Sequence, residues 1–136
     1  MRRQIAFRVT ILCATLAACN SDLSSMNIIG PWGGPHAAMV LTTTGGTMEY
    51  DCASGTISND WTVTPDGFFA ATGRHLPGHG GPIPIGGGDT LTRPARYQGT
   101  IRGRSMTLTV VLTDSAQVLG VFDLTQGRNG SVYKCL

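Results

Sequence analysis

The chain has 136 residues and a formal net charge of +2, ten basic side chains against eight acidic ones. Arg2, Arg3 and Arg8 fall in its first eight residues, so the remainder carries seven basic residues against eight acidic ones and sums to −1. That balance leaves no electrostatic footprint for nucleic acid and no basic patch for anionic lipid, and no stretch after Cys19 is long and apolar enough for a transmembrane helix.

The basic start is followed by an apolar run over residues 9–18, too short to cross a bilayer but suited to the core of an export signal. The run ends in Leu16-Ala17-Ala18-Cys19, which resembles the lipobox of bacterial lipoproteins. The aliphatic residue and two small residues suit a signal peptidase, and the thiol forms a thioether to diacylglycerol before cleavage. An ordinary secretory signal ending in small residues is the alternative. The resemblance implies a signal over residues 1–18, a lipid on Cys19, a tether over 20–29 and a domain over 30–136. Anchoring then comes from the acyl chains, because one chain alone binds only marginally. Asn20, in place of the Asp that in this family retains the product at the inner membrane, implies sorting to the outer membrane, facing the periplasm.

From Gly30 onward the pattern is strand after strand, and no apolar period is helical for longer than a turn. Gly30-Pro31-Trp32 is similar to the G-x-W at the start of lipocalin-type barrels, where the indole plugs one end. Strands are expected over residues 37–43, 47–52, 60–64, 67–73, 95–101, 105–113, 118–124 and 131–135. In 105–113, Met106, Leu108, Val110 and Leu112 alternate with mostly polar residues, as a sheet with one wet face requires. Gly45-Gly46 suits a tight hairpin, Pro65-Asp66-Gly67 a type I turn with a left-handed glycine, and Asn129-Gly130 a primed turn. Short connections join antiparallel neighbours, and closure removes the open edges. The expected fold is therefore an all-β, small antiparallel barrel of about eight short strands, lipocalin-like in outline. At eight strands, inward Met48, Tyr50, Phe68, Tyr97, Met106, Leu108, Leu112 and Phe122 fill the interior. Any site then lies on loops or the outer surface.

Of four cysteines, Cys13 leaves with the signal and Cys19 takes lipid, so Cys52 and Cys135 remain for a disulfide in an oxidising compartment. Closing that loop is worth roughly 4 kcal/mol in the chain-entropy model. Two free thiols, as metal ligands or a nucleophile, are the alternative, although no His partners them in sequence.

Three of the seven prolines and six of the nineteen glycines lie within residues 77–88, which no helix tolerates. Residues 73–93 thus read as a long loop on a rigid barrel, and His75, His79, Arg93 and Arg96 as candidates for contact with an envelope partner. His75 and His79 stand four apart, a metal spacing on a helix but not in a Gly/Pro loop, so no metal and no cofactor is expected. His79-Gly80-Gly81 lacks the G-x-S-x-G elbow that esterase chemistry needs, and Gly86-Gly87-Gly88 lacks the Lys and helix of a phosphate loop. Asp51, Asp60, Asp66 and Asp89 are each explained by a turn or a wet face. No catalytic set emerges, and the chain reads as a binding or structural module of the envelope rather than an enzyme.

Tyr50-Asp51-Cys52, Ala95-Arg96-Tyr97 and Cys135 resemble the outline of small periplasmic lipoproteins that inhibit C-type lysozymes. In that family a Y-x-C pairs with a late Cys and an S-G-x-R-Y-type loop enters the enzyme cleft. Here Arg93-Pro94 replaces the Ser-Gly. The resemblance implies, as the alternative function, inhibition of a cell-wall hydrolase. The W-G-G-x-H and Y-D-C-A-x-G strings are also similar to a group of small secreted bacterial proteins without assigned activity.

Overall fold

The computed structural model describes residues 27–78 and 91–135; Cys19, His79 and the Gly86-Gly87-Gly88 cluster lie outside them. Nine strands follow one another: β1 (Gly30–Gly34), β2 (Ala37–Thr42), β3 (Gly45–Tyr50), β4 (Ala53–Ile57), β5 (Thr62–Val63), β6 (Phe68–Pro77), β7 (Arg93–Arg102), β8 (Ser105–Leu112) and β9 (Val118–Gln126). Each barrel strand pairs antiparallel with its neighbours, β9 returns to β1, and β4 meets β6 to close an eight-stranded barrel. The short β5 continues the edge of β6 beyond β4, pairing Thr62 with Ala70.

The expected class is thus found, with two of the eight expected strands exchanged. Residues 60–64 form only the accessory β5, and residues 131–135 contribute a single parallel bridge, Pro35 to Ser131. Their places in the barrel go to β1 and β4, whose glycine- and serine-rich sequences, Gly-Pro-Trp-Gly-Gly and Ala-Ser-Gly-Thr-Ile, carry little β-propensity. Pairing with neighbours on both sides overrides it.

The hairpin turns explain the register. Pro35-His36 joins β1 to β2 with Pro at the first central position and His36 at φ 64°, the type II pattern. Asp51-Cys52 joins β3 to β4 with Cys52 at φ 58°. The expected glycine hairpin at Gly45-Gly46 shifts by two residues, because Thr42 pairs with Gly45 and leaves Thr43-Thr44 as the turn. The Pro65-Asp66-Gly67 turn forms as expected, with Gly67 at φ 87° and its N–H on the Thr64 carbonyl. At Asn129-Gly130 neither residue has a positive φ; the chain reverses instead at Gly127, φ 78°, since residues 127–135 form no strand of the barrel.

Inward positions alternate strictly along β7 and β8: Ala95, Tyr97 and Ile101 face Met106, Leu108, Val110 and Leu112. With Trp32, Met39, Leu41, Met48, Phe69 and Leu124 they fill the interior, each large side chain contributing about 1.5–3 kcal/mol of burial. Phe68, expected inside, is outside and 42% exposed, while Phe69 is fully buried. In a Phe-Phe doublet either frame reads as a strand, and the frame of Phe69, Ala71 and His75 is the one that faces the core. Ile28, assigned by sequence to the tether, is also in the core, 3% exposed, where its carbonyl accepts the Trp32 indole N–H at 2.9 Å.

Candidate functional site

The segment expected to be a loop from residue 73 begins later. β6 runs to Pro77, and its residues 73–75 are paired on both sides, with β4 and β7. His75 is therefore a core residue, 7% exposed, on the same inward face as Phe69 and Ala71. Arg93 opens β7 and forms a two-point ion pair with Asp114 at 2.7 and 3.0 Å. That pairing holds the Asp114 carboxyl below its usual range. Arg96 is exposed in the middle of β7, and Tyr97 beside it is fully buried. The Arg-Tyr pair thus forms no protruding tip of the kind the inhibitor resemblance implies.

Inside the barrel His75 belongs to a polar chain. Its Nδ1 lies 2.5 Å from the Tyr50 hydroxyl, with the two rings stacked. The Tyr97 hydroxyl beside it donates to the Arg74 carbonyl at 2.9 Å. Which atom of the Tyr50–His75 bond donates depends on the imidazole tautomer. Burial, and then the Arg93 charge, lower the His75 pKa, which keeps the ring neutral. Burial also pushes the Tyr97 hydroxyl up to about 12. Gly55 makes room for this chain, because a Cβ there would sit 2.0 Å from the Tyr97 hydroxyl.

A second arrangement lies outside, at the end of the barrel where Pro35-His36 and Asp51-Cys52 turn. An even number of antiparallel strands returns the chain to the end it entered by, so β9 finishes at the opposite end. Residues 127–135 then run back along β1 as a strap. Gly127 N–H bonds the Pro31 carbonyl, Ser131 N–H bonds Gly34, His36 N–H bonds Ser131, and Cys52 N–H bonds Tyr133. The Cys52–Cys135 disulfide fastens its end. Gly33 lets the strap lie directly on β1: a Cβ there would be 2.3 Å from the backbone of Asn129 and Gly130.

The strap builds a surface that sequence reading did not single out. Asp51 takes the Tyr133 N–H at 2.9 Å on one oxygen and His36 Nδ1 at 2.5 Å on the other. Those bonds, the backbone one first, lower its pKa. Beside this pair is a cleft of about 410 Å3 lined by the β1 backbone at Gly33 and Gly34 and by His36, Arg128, Asn129, Ser131 and Tyr133. Tyr133 is 65% exposed, tilted against the His36 ring at 5.8 Å. The histidine–carboxylate pair has an orienting acid, but no hydroxyl or thiol is bonded to the imidazole among the described residues. Three or more metal-ligating side chains gather nowhere among the described residues. No sequence motif announces the cleft, because its members come from one turn and an irregular strap about 90 residues apart.

Comparison with known proteins finds no matching family model, no matching curated protein and no matching solved structure.

Proposed function

We propose that this protein is a lipid-anchored binding module of the cell envelope that takes its ligand in the strap cleft, on the outside of the barrel. The observation that carries the reading is a contrast between two surfaces. The interior is occupied by its own side chains, down to Phe69 and Tyr97 at 0% exposure. The cleft instead presents the side chains of Arg128, Asn129 and Ser131, none of which bonds another described residue, on a backbone fixed by strand pairing and a disulfide. Open polar groups on a rigid frame bind at little ordering cost. Residues 16–19 support the anchor, and Cys19 as its lipid site.

A photo-crosslinking side chain placed at Tyr133 in living cells is expected to capture envelope material. The same group at Arg96, across the barrel, is expected to capture none. Capture from position 96 alone would move the site to β7 and favour the alternative, the hydrolase-inhibitor reading.

A further inference from the structure

The chemistry of the cleft restricts what fits it, and the ligand class inferred from that chemistry rests on the cleft being the binding surface. Four of the residues along it carry donor groups, Arg128, Asn129, Ser131 and Tyr133, beside the apolar surface of Gly33, Gly34 and Pro35. The Asp51 carboxylate beside the cleft is already bonded to His36 and the Tyr133 N–H. Arg128 bonds no acidic partner among the described residues, whereas Arg93 and Lys134 are each paired with one. The guanidinium of the lining is therefore open to a ligand anion, and its planar fork matches a carboxylate at two points. Tyr133 adds an exposed aromatic face at one side. Such a face packs against the weakly polar C–H face of a sugar ring while the ring's hydroxyls reach surrounding donors and acceptors. At about 410 Å3 the cleft has the size of a small-molecule site and room for one or two such rings.

We propose that the strap cleft binds a saccharide bearing a carboxylate, its ring on Tyr133 and its acid on Arg128. The acid could belong to a uronic acid or to a lactyl-substituted amino sugar; the two share the recognised chemistry. One ring, at the per-atom efficiency of ordinary ligands, binds with a Kd on the order of 1 mM.

The test uses the full-length, 15N-labelled protein in mild detergent, titrated with sodium glucuronate, N-acetylmuramic acid, glucose and sodium acetate while amide resonances are followed. Glucuronate, N-acetylmuramate or both are expected to move the signals of Gly33, Gly34, Asn129, Ser131 and Tyr133. Which of them does so identifies the source of the acid. Glucose is expected to bind about tenfold more weakly, the loss of one charge-assisted contact, and acetate not to register. Arg128→Gln is expected to erase the advantage of acid over glucose, and Tyr133→Ala to weaken all three sugars. Both side chains are exposed, and an otherwise unchanged spectrum shows that each variant is folded. Acetate binding as tightly as glucuronate would reduce the cleft to a simple anion site and overturn the proposal. So would glucose matching glucuronate, or the acid preference surviving Arg128→Gln. If position 133 cross-links envelope material yet no sugar moves the cleft signals, the ligand class falls while the binding surface stands. If neither happens, both fall.

Discussion

At the scale of single residues, the internal polar chain of His75 and Tyr50, with Tyr97 beside it on the Arg74 carbonyl, makes the firmest demands. Tyr50→Phe leaves the His75 Nδ1 without its hydrogen-bond partner inside the barrel, and the expected cost is about 1–3 kcal/mol, read as a lower urea midpoint at unchanged slope. Gly55→Ala drives a methyl into the Tyr97 hydroxyl and is expected to cost about the same by overpacking. Tyr97→Phe in the Gly55→Ala background is expected to recover part of that loss, which separates the clash from any backbone effect. Protonation acts on the same chain. The folded-state pKa of His75 lies below its unfolded value, so the unfolded chain binds the proton first. Stability is then complete above about pH 6.5 and falls as the pH drops through and below that value. The carboxylates with lowered pKa, Asp51, Asp60, Asp66 and Asp114, lose their contribution only at lower pH, below about 4. Urea midpoints at pH 8 and about pH 5.5, on either side of the unfolded histidine value, are expected to differ in the wild type and to converge in His75→Gln. A His75→Gln variant that keeps the full difference would remove the imidazole as its source.

At the scale of elements, the strap is where a sequence of modest β-propensity is held in place through covalent closure. Reducing the Cys52–Cys135 bond, or replacing Cys135 by Ser, is expected to cost roughly 4 kcal/mol. It is also expected to raise hydrogen exchange at the His36, Cys52 and Ser131 amides ahead of the β7–β8 amides, because those three amides bond across the strap–barrel contact. Uniform acceleration across the barrel would mean that strap and barrel unfold as one. The connection between β6 and β7 has a different sensitivity. A cut beginning at His75 removes a buried side chain and part of the pairing of β6 with β4, and is expected to abolish folding. Replacing residues 79–90 by a four-residue Gly/Asn turn is expected to leave the midpoint nearly unchanged, since halving or doubling a loop alters closure entropy by about 0.6 kcal/mol. Circular dichroism melts of the two variants separate these cases. Sequence alone could not place this boundary: Arg74-His75-Leu76-Pro77 holds two polar residues and a proline, and only the two flanking strands make it a strand.

At the scale of the whole molecule, the all-β class, the closure and the disulfide were legible because each follows from a local rule: period-2 alternation in residues 105–112, turn chemistry at Pro65-Asp66-Gly67, and two cysteines left over once the expected signal and lipid site are set aside. The cleft was not legible, because it depends on where an irregular tail docks, and docking is fixed by backbone bonds that any sequence with room at Gly33 and Gly130 could make. His75 was misplaced for a related reason: burial of a histidine depends on partners 25 and 22 residues away in the chain, Tyr50 and Tyr97. The anchor is tested at this scale too. Cys19→Ser is expected to accumulate as an unprocessed precursor and to take up no radioactive palmitate, while the wild type is labelled; a variant still cleaved, beside an unlabelled wild type, would place the protein among ordinary secreted ones.

The up-and-down path of the barrel also sets a direction. The chain enters β1 at the end opposite His36 and Asp51, so whatever holds the N-terminal side is separated from the outer edge of the cleft by the length of a strand. For the five residues of β1, that is about 17 Å at roughly 3.4 Å per residue. Under the proposed lipid anchor on Cys19, the barrel would stand as a pedestal between the N-terminal side and the end that carries Tyr133 and His36.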